Sequence, residues 1–285
     1  MHKAKKSLGQ NFLKSEIALK KIVEAGEIIK SDVILEIGPG KGALTEKLLQ
    51  VGSKVIAVEK DHELFEFLKT KFEKEIKEKK LILINDDILS CNIEKIIKNV
   101  VLKSIAQADE LSIANFQQKI MCGFQNNIFN NFYYKIIANI PYNITGAILK
   151  KFLTTENQPE RMILMVQHEV AKRIVARDEK KSILSISVKA YGEPKIIAKV
   201  DKRYFSPSPK VDSAIIAIKN ISRKIFKENS INEKRFWEIV KAGFAHKRKK
   251  LSSNLKNERI SAIKTLGNKR AEELTLEDWI MLAKS

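Results

Sequence analysis

Hydrophobic and polar positions follow two rhythms along this chain. Short, nearly continuous apolar runs recur at Val33–Ile37, Lys54–Glu59, Leu81–Asn85, Lys135–Ala138, Met162–Val166 and Ser213–Ile218, and each reads as a strand. Between them lie stretches with helical spacing: Ala43–Val51 through Leu44, Leu48 and Leu49, and His62–Phe72 through Leu64, Phe65, Leu68 and Phe72. Strand and helix in alternation predict an α/β domain with a mostly parallel sheet, whose ligands sit at the carboxyl ends of the strands. After about Lys219 the strand pattern stops. Phe236–Phe244 has helical spacing through Phe236, Ile239, Val240 and Phe244, and more helix is expected through Trp279–Ala283. The expected division is therefore an α/β domain over 1–219 and a small all-α domain over 220–285. Trp237 and Trp279 fall at helical spacing in the tail and are expected in its core. The segment 100–134 breaks the pattern, being poor in charge and rich in Asn and Gln, and is read as an insertion, either a long loop or a helical excursion.

Composition narrows the class. A chain of 285 residues, 44% of them apolar, can build a real core and is not disordered throughout. No apolar run approaches the ~18 residues of a membrane span, and the Lys-rich start does not resemble a signal peptide. Two cysteines, Cys91 and Cys122, make neither a disulfide framework nor a four-ligand zinc site, which fits a reducing cytoplasm. No metal is expected.

The formal charge of +19 points to a polyanion, either nucleic acid or an anionic membrane surface. Of the 53 cations 44 are Lys, however, and a Lys-rich surface also follows from an AT-biased genome. The tail from 219 onward carries 17 cations against 8 acids, whereas the first 218 residues carry 36 against 26. About half of the excess, +9, is thus concentrated in the short helical tail, and the other half, +10, is spread over the first 218 residues. Charge alone does not choose the partner.

Two motifs carry the chemistry. Leu35-Glu36-Ile37-Gly38-Pro39-Gly40-Lys41-Gly42 ends a strand and opens a helix. Glycines there let the backbone approach a ligand, and a helix N-terminus favours an anionic group. Glu59 ends the next strand, in position to accept hydrogen bonds from ribose hydroxyls, and Asp87 follows the third. The set fits an adenosine-containing cofactor. By itself it leaves a nicotinamide dinucleotide and S-adenosylmethionine both open, because Gly38, Gly40 and Ala43 also satisfy the dinucleotide pattern.

The second motif, Asn139-Ile140-Pro141-Tyr142, follows the fourth predicted strand. The Asn side-chain oxygen and the Ile140 carbonyl are two acceptors in a turn stiffened by proline. Together they suit the two hydrogens of a planar exocyclic amine, and Tyr142 offers a face on which a base can stack. A base read this way lies outside a duplex stack.

With these residues in view, the chain resembles the ribosomal small-subunit RNA adenine dimethyltransferases, within the class I S-adenosylmethionine-dependent methyltransferases. Three further stretches carry the likeness: Lys5-Lys6-Ser7-Leu8-Gly9-Gln10-Asn11-Phe12-Leu13, Leu164–Ala171, and Phe205-Ser206-Pro207-Ser208-Pro209-Lys210-Val211-Asp212-Ser213-Ala214. The resemblance implies a Rossmann-like fold and S-adenosylmethionine as methyl donor. It implies cofactor contacts from Asn11, Leu13, Gly38, Gly40, Glu59, Asp87 and Asn139. Glu59 would hold the ribose, Asp87 the adenine amine, and Gly38 would lie against the methionine end. The reacting site would comprise Asn139, Ile140, Pro141 and Tyr142, with Phe205 stacking on the target adenine opposite Tyr142. His168 stands where the family commonly has Lys, and is read as a surface variation.

The implied partner is small-subunit ribosomal RNA within an assembling 30S subunit, met by a monomer in the cytoplasm and away from membranes. The implied reaction is dimethylation of two adjacent adenines near the RNA's 3′ end, with a role in subunit biogenesis. Two basic clusters stand out: Lys3, Lys5 and Lys6 near the start, and Lys247, Arg248, Lys249 and Lys250 in the tail. The second aligns with a basic stretch of the family and is the candidate for phosphate contact. Two other readings stay open: a resistance-type methyltransferase of large-subunit RNA, and an assembly factor whose methylation is incidental.

Overall fold

The computed structural model describes residues 4–105, 133–176, 180–256, 258 and 260–284. The inserted segment expected at 100–134 falls largely outside these residues. Among the described residues, seven of nine strands form one sheet. They are β2 (Val33–Ile37), β3 (Lys54–Glu59), β4 (Leu81–Asn85), β5 (Lys135–Asn139), β6 (Arg161–Gln167), β7 (Glu193–Val200) and β9 (Ser213–Lys219), in the spatial order β4-β3-β2-β5-β6-β9-β7. The first five in that order are mutually parallel. The strand β9 inserts antiparallel to both β6 and β7. Two very short strands, β1 (Phe12–Leu13) and β8 (Phe205–Ser206), pair antiparallel as a separate ribbon.

The six expected strands are all present; all but the edge strand β4 are buried on both faces, which selects a nearly continuous apolar run. Alternate residues feed two cores. Val33, Leu35, Ile37, Ile136, Ala138, Leu164 and Val166 face one. Ile34, Ile137, Ile163 and Met165 face the other, packed by α1 (Glu16–Gly26), α2 (Ala43–Gln50) and α3 (His62–Lys71). The strand β7 was not expected. Its residues alternate between exposed and half-buried, it carries Lys195 and Lys199, and it contains Pro194. That pattern belongs to an edge strand.

The strand order, not the strand direction, reverses between the parallel neighbours β2 and β5. At the far end of these strands Lys135 is buried, its Nζ 2.7 Å from Asp32 Oδ2 and 2.7 Å from the Glu27 carbonyl. A buried ammonium needs this full set of acceptors, and removing either charge would cost about 3–5 kcal/mol.

Beyond β9 the chain is helical, as expected: Lys224–Glu228, Glu233–Gly243, Leu251–Asn254, Ile263–Leu266 and Leu276–Lys284. Both tryptophans lie in packed positions. Trp279 is fully buried and stacks against Phe244. Trp237 donates Nε1–H to the Tyr191 hydroxyl at 3.0 Å and stacks on that ring. The tail shares one continuous apolar cluster with the sheet, joining Trp279, Phe236 and Phe226 to Tyr191, Ile218 and Leu164.

Candidate active site

A cavity of about 590 Å³ opens at the carboxyl ends of β2, β3, β4 and β5. It gathers most of what the sequence singled out. Asn11, Leu13, Gly38, Gly40, Glu59, Asp87, Asn139, Ile140, Pro141 and Tyr142 all line it.

The glycine loop forms its floor. Gly38, Gly40 and Gly42 have φ of 65°, 60° and 78°, a region that L side chains rarely adopt. Gly42 must also be glycine for space, since a Cβ there would lie 2.5 Å from Phe72 Cε2. It serves as the N-cap of α2 without a side-chain acceptor.

Glu59 ends β3 and is 5% exposed. One carboxylate oxygen accepts the Gly40 N–H at 3.0 Å and the other accepts the Asp61 N–H at 2.8 Å. The carboxyl is thereby aimed, with lone pairs left over for hydroxyl donors on the cavity side. Burial raises its pKa, against which the Asp61 and Gly40 N–H groups act.

Asp87 stands on the loop after β4. Its Oδ2 takes Lys60 Nζ at 2.8 Å and its Oδ1 takes the Leu89 N–H at 2.9 Å, and both hold its pKa down. Lys151 fixes the same loop by donating to the carbonyls of Ile88, Leu89 and Cys91.

Asn139 is the last residue of β5. Its Nδ2 donates to the Asn11 carbonyl at 3.2 Å. The amide is therefore oriented with Oδ1 toward the cavity wall, available as an acceptor. Pro141 turns the chain, and Tyr142 is half-buried with its hydroxyl 2.5 Å from Ser213 Oγ.

Phe205 departs from expectation. It was placed opposite Tyr142 as a stacking ring, but it is 2% exposed and belongs to the apolar cluster with Leu13, Val200 and Ile215. The cause is strand alternation: β8 turns Phe205 inward and leaves its neighbour Ser206 on the cavity rim. Lys5 departs too. Its ammonium meets Asp61 at 2.8 Å and Glu63 at 2.9 Å, so it is engaged within the protein. By contrast, Lys247, Arg248 and Lys249 are exposed and pair with no carboxylate among the described residues, while Lys250 reaches only Asn268 Oδ1 at 3.2 Å. His168 is half-buried at the start of the helix after β6, away from the cavity.

Sequence reasoning missed Glu36. It lies in the middle of β2, is 1% exposed and lines the cavity. Its Oε2 is buried with no hydrogen-bond partner. Burial, with the nearby Glu59 charge adding to it, pushes its pKa up to about 8. An acid inside an otherwise apolar strand was the available signal. An orphaned carboxyl oxygen in a cavity wall calls for a donor from a ligand, such as an ammonium. With Glu59 for hydroxyls and Asp87 for an amine, the donors and acceptors fit S-adenosylmethionine from one end to the other.

Sheet order, reversed β9 and a cavity of this make define a class I S-adenosylmethionine-dependent methyltransferase. A family model described as "Ribosomal RNA adenine dimethylase" matches residues 1–285, and the chain belongs to that family. Among similar proteins is "Ribosomal RNA small subunit methyltransferase A" of Dehalococcoides mccartyi (strain ATCC BAA-2100 / JCM 16839 / KCTC 5957 / BAV1), 35% identical, covering 97% of this chain and 86% of that protein. The protein of the same name from Fusobacterium nucleatum subsp. nucleatum is 34% identical, covering 99% and 97%. Two solved structures share the fold. A dimethyladenosine transferase from Plasmodium falciparum has a TM-score of 0.69 at 24% identity, covering 95% of each chain. The 23S rRNA methyltransferase ErmE has a TM-score of 0.66 at 22% identity, covering 96% and 98%. No helix of the described residues is long and apolar enough to cross a membrane.

Proposed function

We propose that this enzyme dimethylates the exocyclic amines of adenines in small-subunit ribosomal RNA, acting on two adjacent adenines near the 3′ end. The relatives named for the small subunit support the choice of RNA. The observation that carries the chemistry is the Asn139 amide, turned by the Asn11 carbonyl so that its oxygen is free in the cavity wall.

Bound S-adenosylmethionine supplies a methyl group already activated by its sulfonium. The protein therefore positions, and needs no strong base. Glu36, Glu59 and Asp87 hold the cofactor at three points. Asn139 Oδ1 and the Ile140 carbonyl accept the two amine hydrogens of the target adenine, which favours a tetrahedral nitrogen with its lone pair free for attack. Tyr142 gives the base a face to lie on. After one transfer only one hydrogen remains, so stacking must hold the intermediate when one of the two acceptors has lost its donor. With Phe205 in the core, Tyr142 carries the stacking from the protein side.

Lys247, Arg248, Lys249 and Lys250 contact phosphates of the RNA, giving an affinity that falls steeply with salt. The setting is the cytoplasm, the partner an assembling 30S subunit met by a monomer, and the methyltransferase and tail domains divide at about 219. The test is direct. Supply labelled S-adenosylmethionine with unmethylated small or large subunits and map the label. Label at two neighbouring adenines near the 3′ end of the small-subunit RNA is expected. Label on large-subunit RNA alone refutes the proposal, and is what a resistance-type enzyme would give.

A further inference from the structure

Residues 5–13 form a strap along one side of the cavity, and Ser7 through Leu13 all line it. Its own regular structure is slight, a 3-10 turn at Lys6–Leu8 and the two residues of β1. What holds it in place is a set of contacts with the rest of the site. Phe12 covers the glycine loop so closely that a Cβ on Gly40 would lie 3.0 Å from its ring. Gly9 packs against the tetrapeptide turn, where a Cβ would meet Asn143 Oδ1 at 3.1 Å and Pro141 Cβ at 3.5 Å. The Asn11 carbonyl receives the Asn139 amide.

The other end of the strap is tied chiefly to Asp61, with Glu63 as a second partner of Lys5 at 2.9 Å. Asp61 is 2% exposed. Its Oδ1 takes Lys5 Nζ at 2.8 Å, and its Oδ2 takes Gln10 Nε2 at 2.7 Å. Gln10 in turn accepts the Lys5 N–H at 2.7 Å, which closes the turn of the strap on itself. The same Asp61 Oδ1 caps α3 by accepting the Glu63 N–H at 3.1 Å. Its backbone N–H is the one that aims Glu59. Burial alone would raise the pKa of Asp61, but the donors of Lys5, Gln10 and Glu63 hold it below the usual value, so it is an anion when the strap is down.

We propose that Asp61 is a positioning residue for methyl transfer: its carboxylate fastens the strap, and through the strap it fixes the Asn139 amide, while its backbone N–H fixes the ribose-binding Glu59. One residue thus sets the two halves of the reaction in register. The proposal rests on the reading of the cavity as the S-adenosylmethionine site. It goes beyond that reading in giving Asp61, Gln10 and Lys5 a role in the reaction's geometry.

Asp61→Asn is the test. It keeps a side-chain oxygen for the helix cap, where Asn is as good as Asp. It leaves the backbone N–H to Glu59 untouched. It removes one of the two charges that hold Lys5, leaving Glu63, and sets an amide N–H against that of Gln10. The expected results are an increase of about tenfold in the Kd for S-adenosylhomocysteine by calorimetry, the size of one lost charge-assisted bond. Amide exchange at residues 8–13 should quicken while exchange in α3 stays as in the native protein. Gln10→Ala, which touches only the strap, should act in the same direction and less strongly. Adding Gln10→Glu to Asp61→Asn restores a donor–acceptor match across the contact, and should recover most of the affinity and protection.

Unchanged affinity and exchange in both single variants would overturn the proposal. So would a loss in Asp61→Asn that extends to α3 and is not relieved by the second substitution, since that marks a helix cap only. A native protein that fails to bind S-adenosylhomocysteine removes the cofactor reading itself, and the proposal with it.

Discussion

The two halves of the cavity are built to different degrees. On the cofactor side most polar groups are aimed by another part of the fold, with Glu36 Oε2 left for the ligand. Glu59 is held by two backbone N–H groups, Asp87 by Lys60 and Leu89, and Asn139 by Asn11. On the base side stand a half-buried ring, Tyr142, and a rim residue, Ser206, while Phe205 lies in the core. A small cofactor must find its site ready, whereas a base arrives on a large RNA that brings binding energy of its own. The difference teaches where preorganisation is needed.

That contrast can be broken most forcefully at Asn139, where the two halves meet. Asn139→Ala should lower kcat by at least about a hundredfold, comparable to losing one aimed polar group in an active site. The Kd for S-adenosylhomocysteine should move far less. Methylation assays with calorimetry on the same preparation decide it, and near-native turnover would show that the amide is not the acceptor.

Phe205→Ala asks whether the base side really lacks its second ring. Truncating a buried Phe costs ~3–5 kcal/mol, so a large fall in Tm is expected. Phe205→Leu should retain most of the stability and nearly native KM for RNA. A raised RNA KM with Tm unchanged in either variant would restore Phe205 to the stacking role.

Glu36 sharpens the comparison through pH. Its folded pKa of about 8 lies above its unfolded value of 4.5. Between these values the folded protein keeps a proton that the unfolded chain has lost, so this group makes stability fall as pH rises through that window. Glu36→Gln should flatten that slope and raise Tm above the native value at the alkaline end. A thermal melt series over pH checks it, and parallel curves for the two proteins would contradict it.

The smallest effect is expected at Tyr142. Tyr142→Phe loses the contact with Ser213 but keeps the ring, at a cost of about 1 kcal/mol in stability. Turnover should be nearly preserved if the face of the ring, and not its hydroxyl, does the work.

Much of this was legible before any coordinates. Five of the six strands were visible because burial on both faces leaves an almost wholly apolar run, and β4, at the other edge, because Leu81–Ile84 is apolar throughout. The edge strand β7 was not, since half of it faces solvent and looks like loop. Glu59, Asp87 and Asn139 were legible because each ends a strand, or follows one, on the same edge of the sheet, so topology alone brings them together. Asp61 and Gln10 were not. Their roles exist only through a contact between residues 51 positions apart, which no local spacing reveals. Glu36 was quoted within the glycine motif, yet only its burial shows that its oxygen lacks a partner. Phe205 shows the opposite error: a residue at the family's position need not present the same face.

The packing of the tail carries a last consequence. Gly243 lies so close to Trp279 that a Cβ would come within 2.4 Å of the indole, and Trp279 belongs to the same apolar cluster as the sheet. The loop bearing Lys247–Lys250 is thus mounted on the rigid frame that carries Asn139, not on a tether. Any polyanion docked there is held at a fixed offset from the reacting amide. Under the proposed function, the phosphates met by Lys247–Lys250 and the adenine met at Asn139 would then lie a set distance apart on the folded RNA.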